Sequence, residues 1–584
     1  MKKTDSFYIY IITVFLVPVM LMLLCMSIIS TSYVTLGEQV FFLKDNAVVN
    51  IAVLLIFTAV LTLLSRIKAL RGLFDKINGD KRLFMILKAG LLLLMFVIFL
   101  IWVFSTRFTP FGDASWLHDA AENYRNGIFT DFENGWYNYI DLYPFQTRTL
   151  LLYVIIDSIF GGYRLMVYQV LNCLCTVLMF WSLQDIAGLS GATHSERLFV
   201  VLIGMLWPPV LLYNSFIYGN VPGLALILFA FAMWIRHFNS EKLVDIFLFA
   251  SVISAALAFC FKSNFLIFII AMVIYGVFKT FSHFVNGNRG LSFKKEVLRL
   301  MISLVGLAVF LLITAIVPRK IATSVSGEPL SEGMATISWI EMGITESTAG
   351  PGWYTDDSKR EYQAAEFKTE PMAKMSRENI KARLDHFKAH RDSAVSFFLR
   401  KTASQWNEPS MESFWILRGS EKENISPRLI DMTSYPGYVK AVSLLDLMHL
   451  LIAAGCVIFI LTFKRSEKSL EQLLLPMVFI GFFVFHFFWE AKSQYAYLAW
   501  VAMIPTVVMG YRDLTVRINT FVDEKTGKTS NTEKNKGHAR PLTVIKLVMT
   551  ALTLILLITL SVKGFTHDLT RDNADFAEYM SENF

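Results

Sequence analysis

Long apolar runs recur through this chain of 584 residues and constrain its fold more than any other feature. A helix of about 20 apolar residues crosses a bilayer. Every backbone polar group inside lipid needs an internal partner, so such runs must be helical. We therefore predict an all-α polytopic membrane protein with about 13 transmembrane helices and two large extracellular loops. The predicted spans are 6–30, 48–65, 84–105, 165–187, 198–216, 222–237, 244–260, 263–281, 298–318, 441–463, 471–489, 494–511 and 542–563.

The composition is that of a membrane protein. Hydrophobic residues make up 55% of the chain and charged residues 17%, which excludes an ordinary soluble enzyme. The net charge of +7 does not indicate nucleic-acid binding, because the basic residues cluster between spans. All five cysteines lie within apolar runs, so we predict neither a disulfide framework nor a cysteine metal site.

Lysine and arginine in short loops predict the orientation, because they favour the cytoplasmic side. The segments predicted to be cytoplasmic are 66–82, 289–295, 464–468 and 512–541. This assignment requires the short apolar segment 148–160 to lie at the outer surface and not to span. The protein is then a multi-pass protein of the cell membrane with a cytoplasmic N-terminus, and 6–30 is a retained span.

The predicted organisation has five parts. They are N-terminal additional spans with a basic cytoplasmic loop (1–83), a core of spans with the first outer loop at 105–163 (84–318), an extracellular loop domain (319–440), C-terminal spans (441–563) and an outer tail (564–584). The extracellular loop domain is too long to be a simple connector, which indicates a function of its own.

Asp113 is the first carboxylate after the third span. The following segment, 114–126, carries Trp116, Leu117 and Tyr124 at helical spacing, so we expect a helix that lies flat on the membrane. One interpretation is that Asp113 only caps this helix, since aspartate is a favoured N-cap residue. The other is that it belongs to a site at the water boundary.

A second helix is predicted in the extracellular loop domain, from Ser376 to Trp406. It has an apolar stripe and a basic face that includes Arg391 and Arg400. The pattern fits a solvated surface helix and a helix that rests on lipid phosphates equally well.

Several polar groups are predicted to meet at the outer boundary, where ionisable residues are costly and suggest function. Any one of them could simply reach from a span end into water, but together they favour a site. They are Asp113, Asp119, Tyr143-Pro144-Phe145-Gln146, Arg148, Tyr218-Gly219-Asn220, Lys262 and the segment Trp489 to Tyr495.

The order of these motifs resembles the GT-C class of multi-pass glycosyltransferases, which use sugars linked to a polyprenyl phosphate. In that class an acidic residue opens the first outer loop, and two juxtamembrane helices follow with a Pro-containing segment between them. The chain has Asp113, the helix 114–126, Tyr143-Pro144 and the segment 148–160 in that order, over a region of about 84–511. Segments such as Met342-Gly343 and Gly352-Trp353-Tyr354 resemble those of Gram-positive envelope members.

The resemblance implies a GT-C-like fold and an inverting transfer from a polyprenyl-phosphate sugar to a cell-envelope acceptor: a polysaccharide, teichoic acid or protein. Asp113 is the expected base for the acceptor hydroxyl. Lys262 is the first candidate to stabilise the leaving phosphate, with Arg148, Arg391 and Arg400 as alternatives. The further substrate-binding candidates are Gln146, Tyr218, Glu490 and Tyr495.

The first site departs from many members of the class, in which a second acidic residue accompanies the first. Here Ala114 follows Asp113, and one carboxylate is a poor cage for a hard cation. We predict no metal site, and a divalent cation is the one cofactor left open. The expected partners are the lipid-linked donor, the envelope acceptor and membrane lipids.

Two other functions fit the same sequence. A transporter or flippase for a lipid-linked sugar would place polar residues deep in its spans, as Gln169 and Asn172 are. A polysaccharide polymerase would depend on the arginines of the extracellular loop domain and not on Asp113.

Overall fold

The structure of the protein is a computed structural model. It describes residues 3–35, 37–286, 293–327, 329–415, 427, 429, 437–526 and 541–583. Part of the predicted basic loop 289–295, all of 527–540 and most of 416–436 lie outside the described residues.

The first half of the chain contains fourteen α-helices within the described residues. They are α1 (Lys3–Ile29), α2 (Ala47–Arg66), α3 (Lys68–Gly79), α4 (Lys81–Thr106), α5 (Asp113–Arg125), α6 (Tyr139–Leu142), α7 (Thr147–Phe160), α8 (Leu165–Leu189), α9 (His194–Leu206), α10 (Pro208–Leu212), α11 (Asn220–Asn239), α12 (Ile246–Phe261), α13 (Leu266–Asn286) and α14 (Phe293–Ser326).

The second half supplies the outer helices and the last spans. They are α15 (Ser338–Gly343), α16 (Asp357–Ala364), α17 (Thr369–Ala389), α18 (Arg391–Trp406), α19 (Gly437–Thr462), α20 (Ser469–Gln472), α21 (Leu474–Phe488), α22 (Ser493–Ala502), α23 (Ile504–Lys525), α24 (Pro541–Val562) and α25 (Asn573–Asn583).

The helical polytopic fold predicted from the sequence is confirmed, whereas the count of about 13 spans is not. Within the described residues ten helices are long and apolar enough to cross a membrane, or eleven if α9 and the segment from Pro208 to Ser215 form one bent span. The difference has three causes. The predicted span 198–216 bends by 68° at Trp207, α12 is short, and the predicted span 494–511 breaks at Met503.

One element lies outside the all-helical prediction. Strands β1 (Ser30–Val34) and β2 (Val40–Lys44) form an antiparallel hairpin directly after the first span. Its register pairs Val34 with Val40, so the turn falls on 35–39. All five residues of β1 are buried, and the hairpin is therefore part of the folded body.

Segments predicted to share a side of the membrane contact one another. At one end, Arg66 pairs with Asp523 at 2.5 Å, which joins the first basic loop to the 512–525 segment. At the other end, Phe42 N–H donates to Asp572 at 3.0 Å, which joins the hairpin to the C-terminal tail. The grouping is consistent with the predicted orientation, which remains a prediction.

The predicted helix 376–406 is two helices. α17 and α18 meet at His390, and their apolar residues pack inward around Ile344, Phe387 and Phe397. Phe398 stacks on Phe487 of span α21, with ring centroids 4.4 Å apart. The apolar stripe thus contacts the protein itself, which agrees with a surface helix whose charged face is solvated.

Candidate active site

Asp113 is the first residue of α5 and does not cap it. Gly112 occupies the N-cap position with φ +58°, and no side-chain capping hydrogen bond is present. The buried face of α5 packs against α7, and His118 Nε2 donates to Ile217 O at 3.0 Å. Helix α5 therefore packs on the protein, and it presents a carboxylate that makes no bond to its own helix within the described residues.

The Asp113 carboxylate lies among several charged side chains. Its side chain is open to solvent, yet protein surrounds the position, and this burial raises the pKa of Asp113. The charges that act most strongly on it are Lys492, which lowers its pKa, Glu38, which raises it, and then Lys262 and Lys359, which lower it. A solvent-accessible carboxylate with a raised pKa is suited to accept a proton near neutral pH.

Lys262, a second cation that acts on Asp113, is held by three contacts. Its ammonium donates to Asn220 Oδ1 at 2.7 Å and lies 5.0 Å and 5.2 Å from the ring centroids of Tyr218 and Tyr495. Burial lowers the pKa of Lys262 to about 7, and Asp113 opposes that shift. The lysine is therefore preorganised, and it gains a full positive charge most readily when an anion arrives.

Lys492 is the charged group that acts most strongly on Asp113. It pairs with Glu38 at 3.2 Å, and its ammonium is 5.4 Å from the ring centroid of Trp415. Burial would lower the pKa of Lys492, but the carboxylates Glu38, Glu412, Glu490 and Asp113 raise it. Lys492 is therefore a permanently charged cation in the site.

Two further carboxyl groups complete this side of the site. Burial raises the pKa of Glu490 to about 7, and Tyr495 donates to its Oε2 at 3.1 Å. Burial likewise raises the pKa of Glu412 to about 7 against the effect of Lys492, and Gln494 N–H donates to Glu412 Oε2 at 2.8 Å. These side chains hold or release protons close to neutral pH.

A hydrogen-bonded network connects the predicted motifs of the first and later outer loops. Gln146 Nε2 donates to the Tyr218 hydroxyl at 2.6 Å, and the Tyr218 and Tyr139 hydroxyls lie 3.1 Å apart. Arg148 donates to Ser263 Oγ at 2.8 Å, directly after Lys262, and its guanidinium lies 4.1 Å from the Phe259 ring centroid. Tyr218 thus contacts Lys262 and Gln146 contacts Tyr218, while Arg148 stabilises the turn that contains Lys262.

The loop domain 319–440, predicted to be extracellular, is docked against the segment 489–492. Trp353 forms a parallel bridge with Ala491, and Ala491 N–H donates to Gly352 O at 2.7 Å. Gly352 has φ +77°, and a Cβ there would lie 2.8 Å from Gly343 O, so only glycine fits. Lys401 fixes the same junction by donating to carbonyl oxygens of Gly343, Phe487 and Trp489.

The remaining candidates are Arg391 and Arg400 of the loop domain and Asp119 of α5. Arg391 is exposed at the start of α18, and Arg400 pairs with Glu346. Neither is among the charges that act most strongly on Asp113. Asp119 is exposed on α5, where its neighbouring charges are Glu122 and Asp131.

Sequence reasoning missed several residues of the site. Glu38 comes from the hairpin, Lys359 from α16, Glu412 from the end of the loop domain and Tyr139 from α6. Among these, Lys359 lies 5.2 Å from the Trp116 ring centroid. No local pattern distinguishes these four residues from other polar residues of the loops and short helices.

Within the part of the chain that the structure describes, no group of three or more His, Cys, Asp or Glu side chains could hold a metal ion. The carboxylates of the site instead interact with the cations Lys262 and Lys492.

Comparison with known proteins gives structural similarities only. No protein-family model matches the chain, and no curated protein matches it. Similar solved structures include the archaeal oligosaccharyltransferase AglB from Archaeoglobus fulgidus in complex with an inhibitory peptide and a dolichol-phosphate, at 13% identity over 82% of this chain with a TM-score of 0.38. Another is the Archaeoglobus fulgidus oligosaccharyltransferase tethered to an acceptor peptide that contains the NVT sequon, at 14% identity over 82% with a TM-score of 0.35.

The chain spans about half the length of these two structures, 55% of one and 54% of the other. The function proposed for the chain depends on its own site residues.

Proposed function

We propose that the protein is a membrane glycosyltransferase that moves a sugar from a polyprenyl-phosphate carrier to a cell-envelope acceptor at the extracytoplasmic face. The observation that carries the proposal is Asp113, a solvent-accessible carboxylate on which the two lysines Lys262 and Lys492 both act. This pairing of a free base with fixed cations suits a reaction that removes a proton from one substrate and creates a phosphate on the other.

The reaction proposed is a single inverting displacement. Asp113 takes the proton of an acceptor hydroxyl as that oxygen bonds to the anomeric carbon of the sugar. The bond between the anomeric carbon and the carrier's phosphate oxygen breaks, and its electron pair leaves with the polyprenyl phosphate. Because attack comes from the face opposite the leaving group, the anomeric configuration inverts.

The leaving phosphate gains negative charge at the edge of a low-dielectric phase, where a nearby cation is worth more than in water. Lys262 lies in the turn between α12 and the next span, so it is available at the depth where a lipid phosphate would lie. Lys492 follows the end of another span by four residues. We assign the phosphate to these two lysines and the sugar hydroxyls to Glu490, Tyr495 and Gln146.

The contacts of the two deep polar residues favour this proposal over a transporter. Gln169 Nε2 donates to Phe108 O at 2.8 Å, and Asn172 Nδ2 donates to Phe216 O at 3.0 Å. Both amides satisfy backbone carbonyls beside the bent span. Their roles in packing account for them without a transport path.

The test is Asp113→Asn in the purified full-length protein, reconstituted in liposomes with polyprenyl-phosphate sugars and an envelope acceptor fraction. Release of polyprenyl phosphate reports transfer whatever the sugar is. Removing the base should lower turnover by about 10²- to 10⁴-fold while the protein stays folded. Asp119→Asn, on the same helix, is the matched control and should keep wild-type activity. Near-normal transfer by a well-folded Asp113→Asn protein would refute the assignment.

A further inference from the structure

The tip of the N-terminal hairpin is held in an unfavourable backbone conformation. Glu38 has φ +62°, in the left-handed region that residues other than glycine rarely adopt. The turn is closed by bonds from Glu38 N–H to Thr35 O at 3.0 Å and from Thr35 N–H to Gln39 O at 2.8 Å. A conformation of this kind persists only where surrounding structure enforces it, and such positions cluster at functional sites.

The surrounding structure fixes the hairpin from several directions. The bonds are Val40 N–H to Ala349 O (2.7 Å), Ser32 N–H to Asn407 O (3.2 Å), Tyr438 hydroxyl to Val34 O (2.6 Å) and Phe42 N–H to Asp572 Oδ2 (3.0 Å). These partners come from the loop domain, a span and the C-terminal tail, so the position of Glu38 depends on the whole outer half of the protein.

Glu38 is aimed at Lys492. Their charged atoms are 3.2 Å apart, and the two side chains retain only 21% and 12% of their accessible surface. Among the described carboxylates, Glu38 is the one within ion-pair distance of Lys492, although Glu412, Glu490 and Asp113 also act on it. If Glu38 were neutral, the ammonium would move toward one of those three.

We propose that Glu38 is a positioning residue that holds the Lys492 ammonium away from Asp113 and so keeps the Asp113 carboxylate free to accept the acceptor's proton. The inference rests on the proposed function, because it assigns Glu38 a part in that reaction. It makes the N-terminal hairpin part of the site.

Loss of Glu38 changes the pKa of Asp113 in two ways, and both changes lower it. The negative charge of Glu38 raises the pKa of Asp113, whereas Lys492, Lys262 and Lys359 lower it. Removing Glu38 deletes the raising charge and lets Lys492 approach. Both changes lower the pKa of Asp113, so the acidic limb of the pH–rate profile moves to lower pH.

The experiment compares Glu38→Gln, which keeps the shape, with Glu38→Asp, which keeps the charge. In Glu38→Gln the acidic limb of kcat/KM should move down by about half a pH unit or more, the effect of one nearby charge. Turnover on the plateau should fall about tenfold, because a paired carboxylate is a weaker base. Glu38→Asp should keep the acidic limb and the plateau turnover close to their wild-type values. The matched control is Lys44→Gln, which removes an exposed charge from the far end of the same hairpin.

A second measurement needs no turnover. A water-soluble carbodiimide modifies protonated carboxyl groups, so the pH dependence of Asp113 modification, followed by peptide mass spectrometry, reports its pKa directly. The midpoint should move down in Glu38→Gln and stay in place in Lys44→Gln. An unmoved midpoint and an unmoved acidic limb in folded Glu38→Gln would overturn the inference. If the wild-type protein transferred no sugar, the proposed function would fail while the midpoint still decided the role of Glu38.

Discussion

Replacing Lys262 with methionine isolates the contribution of its charge. The change keeps most of the aliphatic stem, and it deletes the ammonium that lies near the Tyr218 and Tyr495 rings and donates to Asn220 Oδ1. If Lys262 stabilises the leaving phosphate, the loss is felt in the transition state. If Lys262 only lies in a turn and extends into water, as many lysines at span ends do, its replacement changes activity little.

These two interpretations of Lys262 predict measurably different turnover for the Lys262→Met variant. Removing one preorganised electrostatic donor typically lowers kcat by about 10²- to 10³-fold, or about 2.7–4 kcal/mol of transition-state stabilisation. The cost to folding is smaller. Asn220 loses its donor, a penalty of about 1–3 kcal/mol, but the protein no longer buries a charge, which offsets part of that loss. The variant should therefore fold and fail in turnover.

The pH dependence gives an independent signature. Burial lowers the pKa of Lys262 to about 7, so the free enzyme loses this charge as the pH rises through that value. The wild-type kcat/KM should therefore fall on its basic side from about pH 7. Bound donor phosphate would raise the pKa, so the same limb should appear at higher pH in kcat. Lys262→Met should lack the limb in both.

The assay is release of polyprenyl phosphate from reconstituted protein, with Lys440→Met, an exposed lysine at the start of α19, as the control. Turnover within about threefold of wild type would refute the role of Lys262, since it is far from the loss expected for a transition-state donor. If Lys262→Met were active and Arg391→Met or Arg400→Met inactive, the phosphate would be bound by the extracellular loop domain.

Three further outcomes are expected. Single cysteines at the exposed positions Glu332 and Glu378 should react with an impermeant thiol reagent in intact cells; protection of both until lysis would place the loop domain inside. Gly343→Ala should destabilise by about 1–3 kcal/mol in thermal unfolding, because its Cβ would lie 2.2 Å from a backbone oxygen. Gly90→Ala, with nothing within 4 Å, is the control, and equal melting temperatures would contradict the close docking. Lys401→Met should cost at least about 1–3 kcal/mol because it leaves buried carbonyls without a donor, and an unchanged melting temperature would show them otherwise satisfied.

The sequence predicted spans well where length and hydropathy act together. The predictions were less accurate where local backbone chemistry changes the secondary structure. The span predicted at 198–216 bends at Trp207 because prolines follow at 208 and 209, which remove backbone donors. The hairpin at 30–44 was missed because its strands are short and continue directly from an apolar helix.

The candidate site could be predicted only in part, for a related reason. Lys262 and Glu490 were found because a charged residue at a span end stands out against its apolar neighbours. Glu38 and Glu412 were not, because they lie in polar loops and gain their surroundings from segments far away in the chain. Their proximity is a property of the tertiary fold.

The pairing of Glu38 with Lys492 bears on how the protein is made. The two residues are 454 positions apart, so at roughly 5–20 residues per second the lysine emerges about 20 to 90 s after its carboxylate. During that interval Glu38, joined 75 residues later by Asp113, is a negative charge without Lys492, and both must remain hydrated until the lysine arrives. The hairpin can therefore settle into its final place only late in biogenesis. A ribosome stalled before residue 492 should leave the hairpin accessible to protease.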